Sequence, residues 1–219
     1  MRSLRSIGLL AGGIVLLLAA APASAQDAPS RDDIVAKLDK YQSDLELDVP
    51  ALRQQVTERS KSRGKNEPPP QKRPAIAPDL NRLPAFNADI TFDVDTPIVQ
   101  PESYQTVGRI ADALVHSSLL PYTILIVGHV EANGKREANA ILSQRRADAI
   151  RDVLVNTFKI STKRLYPIGL GEEQFLDRAK PTSAVNGQLQ ILTYAKLPEE
   201  APHPAAAPAP ATKKPAKKR

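Results

Sequence analysis

Two side chains of opposite charge lie at a spacing that could grip a small zwitterion. Glu131 belongs to the segment Gly128-His129-Val130-Glu131-Ala132-Asn133-Gly134, and Arg146 belongs to the long helical pattern that follows, from about Arg136 to Thr157. At about 100° per residue, Asn139, Ser143 and Arg146 fall near the middle of the face that Leu142, Ile150 and Val153 mark as buried. An unpaired guanidinium there costs several kcal/mol, so Arg146 must meet a carboxylate, either of this chain or of a ligand.

Glu131 is the nearest candidate. Its loop also delivers the chain to a helix N-terminus, where free N–H groups and the helix dipole favour an anionic group. Such a pocket suits a zwitterion: the ammonium of an amino-acid head group would go to Glu131 and its carboxylate to Arg146, in bidentate fashion. The same two residues could instead pair with each other as a structural ion bridge, and charge placement alone does not separate the two readings.

Those residues need a frame. Ala88-Asp-Ile90-Thr-Phe92-Asp-Val94 alternates apolar and polar residues and predicts a strand. Pro101 opens a helix with Val107, Ile110, Ala111 and Leu114 on one face, and the apolar run Tyr122–Val127, ending at Gly128-His129, predicts a buried strand. The second helix carries Leu142, Ala149, Ile150, Val153 and Leu154 inward. Short strands follow at Leu165–Gly169 and Gln188–Tyr194. The order βαβαββ predicts an α/β (α+β) domain over 85–197, a mixed sheet with helices packed on one face.

The flanks differ in character. Arg2 and Arg5, the apolar run Ile7–Ala21 and Ala23-Ser24-Ala25 predict a signal peptide over 1–25, since the run is shorter than the ~20 residues that span a bilayer. Residues 26–58 hold room for one short helix, with Ser30 as cap and Asp33 closing a capping box. Residues 59–84 are basic and then proline-rich, which predicts an extended spacer. The Ala/Pro/Lys segment 198–219 predicts a disordered tail. Its Lys213, Lys214, Lys217, Lys218 and Arg219 could meet envelope polyanions or serve only for solubility. Export argues against nucleic acid as the partner.

The composition and spacing exclude several classes. With no cysteine, the chain is neither disulfide-stapled nor a lipoprotein. His129 and Glu131 make an incomplete metal site, and His116 and His203 have no paired spacing. Ser143 has no histidine at a recognisable offset, so no catalytic residue, metal or cofactor is expected.

Gly128-His129-Val130-Glu131, Gly134, Asn139, Leu142-Ser143 and Arg146-Ala147 resemble the signature of the OmpA-like C-terminal domain family. That signature runs G-H-T-D, a glycine three residues on, then N-x-x-L-S-x-x-R-A. The family extends to peptidoglycan-associated lipoprotein and the flagellar motor stator protein MotB. Thr91-Phe92-Asp93 and Gly169-Leu-Gly171-Glu172 extend the likeness.

The resemblance implies non-covalent binding of peptidoglycan through the diaminopimelate of its stem peptide, in the periplasm or at the outer membrane. Glu131 and Arg146 would make the clamp and Asn139 a supporting contact. Gly128, His129, Gly134, Leu142 and Ser143 would shape the loop and pocket. Three positions depart from the signature: Glu131 stands for aspartate, Val130 for threonine, and Asn186-Gly187-Gln188-Leu189 for N-R-R-V. These departures are what would suit the alternative, a degenerate scaffold that binds an envelope protein or an anionic envelope surface.

Overall fold

A computed structural model describes residues 29–41, 45, 47–62 and 67–197. The signal peptide and the tail predicted from sequence lie outside the described residues. No helix among the described residues is long and apolar enough to cross a membrane.

The fold is organised by one strand, β2 (Tyr122–His129), which is apolar on both faces. Ile124, Leu125, Ile126 and Val127 are each fully buried. Because successive side chains point to opposite faces, such a strand must be covered on both sides. It lies inside a four-stranded sheet of order β1-β4-β2-β3, with β1 at Ala85–Ala88, β3 at Leu165–Gly171 and β4 at Leu189–Lys196. β2 pairs parallel with β3 and antiparallel with β4, and β1 pairs antiparallel with β4. The parallel pair needs a crossover, and helix α4 (Arg136–Asn156) supplies it. The predicted βαβαββ order and mixed sheet are therefore what the chain forms.

On one face, Ile124, Ile126, Ile191 and Phe86 pack with Val107, Ile110 and Leu114 of helix α3 (Tyr104–Leu114) and with Ala147, Ile150 and Leu154 of α4. Ile34 and Leu38 of helix α1 (Arg31–Leu38) join them. Ser30 caps α1 through the expected box: its hydroxyl accepts from Asp33 N, and the Asp33 carboxylate accepts from Ser30 N. The inner face of α4 is Asn139, Ala140, Ser143, Ala147, Ile150 and Leu154, with Leu142 and Val153 only half-buried at its edges.

The other face differs from the sequence expectation. Leu125, Val127, Ile168, Leu170 and Leu192 are covered by Val49, Leu52 and Val56 of a further helix, α2 (Val49–Lys61), and by Ala77, Leu80 and Leu83. The stretch expected as a spacer over 59–84 therefore packs in part, through Ala77, Leu80 and Leu83, while many of its described residues stay exposed. Two of its prolines, Pro70 and Pro78, start short 3-10 turns at Pro70–Lys72 and Pro78–Arg82. The cause is the sheet: without this arm a wide apolar surface would face water, and burial of such surface contributes roughly 25 cal/mol per Å². The N-terminal region accordingly holds two helices and not one.

The first strand is also displaced. The alternating stretch 88–94 forms only the tail of β1 and one isolated bridge, Phe92 to Val99. β1 ends at Ala88 because its partner register ends there, opposite Leu189, where β4 begins. Ile90 and Phe92 still point inward, so alternation persists without a ladder.

Candidate functional site

The loop after β2 is positioned by the close approach of α4 to the sheet. A Cβ at Gly128 would collide with the Ser143 carbonyl, and one at Gly169 with the Gln144 backbone. Ser143 is fully buried. Its hydroxyl donates to Ala140 O at 2.9 Å and accepts from Gly171 N at 2.8 Å, tying helix to strand end. Gly171 (φ +53°) turns in the left-handed region, where a side chain would strain the backbone as well as meet Ala140. Gly128 and Ser143 are therefore scaffold to the site.

Asn139, 2% exposed, holds the loop from below. Its amide donates to Glu131 O (3.3 Å), Asn133 Oδ1 (2.8 Å) and Glu172 Oε1 (2.9 Å). Asn133 Oδ1 also accepts from Lys135 N, and Gly134 (φ +81°) completes the turn into α4. With Asp95, Lys135, Leu142 and Arg145, Asn139 lines a cavity of ≈ 350 Å³; the expected clamp residues Glu131 and Arg146 do not line it. His129 is 1% exposed, with Nδ1 facing Gln174 O at 2.9 Å and Nε2 facing Gln190 Oε1 at 3.1 Å. Burial pushes its pKa down, opposed by those two hydrogen bonds. It braces the loop and presents no nitrogen to the pocket.

Arg146 and Glu131 do not form an ion bridge; among the described residues, Arg146 has no carboxylate within ion-pair distance. Its Nε donates to Thr96 O at 3.1 Å, and its guanidinium lies over the Phe92 ring, 4.8 Å from the centroid. A guanidinium on an aromatic face is attracted by the ring quadrupole and held flat. Burial lowers its pKa, while the negative fields of Asp95 and Glu131 act to raise it. The isolated Phe92–Val99 bridge explains this placement, since it closes the loop that carries Phe92, Asp95 and Thr96 up to the helix. Glu131 is half-buried, and its carboxylate end lies against Gly187.

Beside this pocket is a buried charge cluster that sequence reasoning missed. Arg136, expected only as the helix start, donates to both carboxylate oxygens of Glu173, at 2.7 Å for Nη2 to Oε2, and pairs with Glu67. The bond to Glu173 raises the Arg136 pKa despite burial. Arg59 reaches Glu173 at 3.0 Å, and Arg73 reaches Glu172 at 3.4 Å. Glu172 and Glu173 are each 2% exposed. The cluster meets the start of α4 through the Arg136 side chain, and no side chain caps that helix end. The available signal was the pair Glu172-Glu173 set against a basic arm.

Residues 91–187, from Thr91 through the second half of the site, match the OmpA family. This part of the chain is an OmpA family domain. Over 105 residues the chain is 32% identical to outer membrane porin F of Pseudomonas aeruginosa, covering 45% of this chain and 29% of the porin. Over 85 residues it is 36% identical to the peptidoglycan-associated lipoprotein of Brucella melitensis, covering 39% of this chain and 49% of the lipoprotein. The chain thus spans half or less of the length of these curated relatives. Among solved structures it is similar to the cell wall anchor of the T6SS from Pseudomonas aeruginosa, at 25% identity and a TM-score of 0.42, over 51% of this chain and 80% of the anchor. These relatives are envelope proteins by name. The matched residues contain Gly128 through Ala147, while α1, α2 and the arm precede them.

Proposed function

We propose that the OmpA domain binds peptidoglycan non-covalently, gripping the free amino-acid end of the stem peptide's diaminopimelate between Glu131 and Arg146. The observation that carries this reading is a half-buried Arg146, held by Thr96 O and the Phe92 ring, that makes no ion pair with Glu131. A guanidinium oriented by Phe92 and Thr96 is pre-organised to accept a carboxylate on its remaining N–H edge. Glu131 then offers the complementary charge to an ammonium. No catalytic step is assigned. The likeness to envelope proteins, together with the signal-peptide pattern, supports a place in the periplasm, anchoring or spacing the envelope.

Sedimentation of the full-length protein with insoluble peptidoglycan at moderate salt tests this, alongside Arg146→Ala, Arg146→Lys and a form lacking 201–219. Loss in both Arg146 variants with retention in the tail-deleted form supports the clamp, because lysine lacks the flat fork and the stack on Phe92. Loss only on tail deletion would instead favour an anionic envelope surface as the partner, with the pocket idle.

A further inference from the structure

Two departures from the family signature, Glu131 for aspartate and Gly187 for the first arginine of N-R-R-V, come together in space. The three heavy atoms nearest to a Cβ built on Gly187 all belong to Glu131: Oε1 at 3.1 Å, then Cδ and Cγ at 3.8 Å. Gly187 ends a short 3-10 segment, Ala184–Gly187, and its φ is not in the left-handed region. The backbone therefore does not call for glycine at this position. What a side chain there would displace is the carboxylate of Glu131.

A glutamate places its carboxylate one methylene farther from the backbone than an aspartate. The extra methylene needs room beside the loop, and the carboxylate end of Glu131 takes that room against Gly187. The bare Cα of Gly187 leaves that room. Asn186, just before it, is fully buried and fixes the segment by donating to Asp177 O and Lys180 O and accepting from Asp177 N, so the floor under Glu131 does not drift.

We propose that Gly187 is the positioning residue that lets the longer Glu131 carboxylate serve the ligand pocket, so that positions 131 and 187 set ligand affinity as a pair. The proposal rests on the peptidoglycan reading. Glutamate with glycine is one working combination; glutamate with a side chain at 187 is a mismatched one. Ligand-binding groups must be held within about 0.5 Å of their productive positions, and a 3.1 Å contact forces a shift of a few tenths of an ångström even for alanine, which takes up a sizeable part of that tolerance.

The test is a double-mutant cycle on the full-length protein with Gly187→Ala, Gly187→Arg and Glu131→Asp, read by sedimentation with diaminopimelate-type sacculi. Gly187→Ala should weaken binding about three- to ten-fold beside Glu131 and by less than about two-fold beside Asp in the Glu131→Asp variant, with Gly187→Arg showing the larger coupling. Equal losses in both backgrounds would overturn the pairing. A second readout does not depend on the ligand: the 13Cδ NMR signal of Glu131 in the free protein should move in Gly187→Ala, and an unmoved signal also overturns it. If the unmutated protein ignores sacculi while the NMR signal moves, the peptidoglycan reading and the affinity role fall, and only the steric pairing survives.

Discussion

Truncating Leu52 to alanine tests whether the N-terminal arm belongs to the folded domain. Leu52 is 4% exposed and sits in α2 against the sheet face formed by Leu125, Val127, Ile168 and Leu170. Removing its three terminal carbons loses about 2.4 kcal/mol of transfer free energy at about 0.8 kcal/mol per carbon. A residual cavity raises the cost to about 2.5–4 kcal/mol. With a urea m-value of about 1–3 kcal/mol per molar, the unfolding midpoint should fall by roughly 1–4 M while the slope stays constant. Gln55→Ala, exposed on the same helix, is the control and should change stability by no more than about 0.5 kcal/mol. If the two variants unfold at the same midpoint, the arm is a spacer after all and the covered second face is wrong.

Other perturbations address the scaffold beneath the site. Glu173→Gln leaves Arg136 and Arg59 without their shared buried carboxylate and should destabilise by about 3–5 kcal/mol, measured as a fall in Tm; a loss below about 1 kcal/mol would show the cluster to be solvated. Gly169→Ala drives a methyl into the Gln144 backbone and should cost about 1–3 kcal/mol or more in urea unfolding, whereas a neutral result would mean that α4 does not lie so close to the sheet. Burial holds the His129 pKa below its ordinary 6.5, so the unfolded chain takes up a proton that the folded chain resists. The stability this represents is complete above about pH 6.5 and declines, by at most about 1.4 kcal/mol per pH unit, as pH falls toward the folded pKa. His129→Gln should flatten that part of the Tm profile, and an unchanged slope would place the proton uptake elsewhere.

Much of the frame was legible because it rests on strong periodicity. The run Tyr122–Val127 and the long pattern of α4 could be read directly, and the Gly128–Gly134 loop between them followed. β1 was misplaced because alternation shows which residues face inward but not where a partner strand ends. Ile90 and Phe92 keep the pattern while their neighbours have no ladder to join. The arm was misread because its apolar residues are sparse. Val49, Leu52 and Val56 do follow helical spacing, but polar residues and prolines around them resemble a linker until the bare face of the sheet is known. The sequence placed Arg146 near the middle of the buried face of α4, whereas it is only half-buried and absent from that inner face. Its resting place over Phe92 depended on a loop some fifty residues upstream in sequence, which no local pattern connects to it.

The central claim is that the pocket reads a zwitterion and not a positive or negative charge alone. Its most direct measurement is an NMR titration of the full-length protein with two soluble muropeptides that differ only in the third stem residue, diaminopimelate or lysine. Lysine keeps the ammonium and lacks the adjoining carboxylate. The account predicts saturable shifts at Arg146 Nε–H and at the 13Cδ of Glu131 with the diaminopimelate form, and at least about ten-fold weaker binding of the lysine form, the cost of leaving the Arg146 fork unpaired. Equal binding of the two forms, or shifts confined to residues outside 128–146, would contradict it.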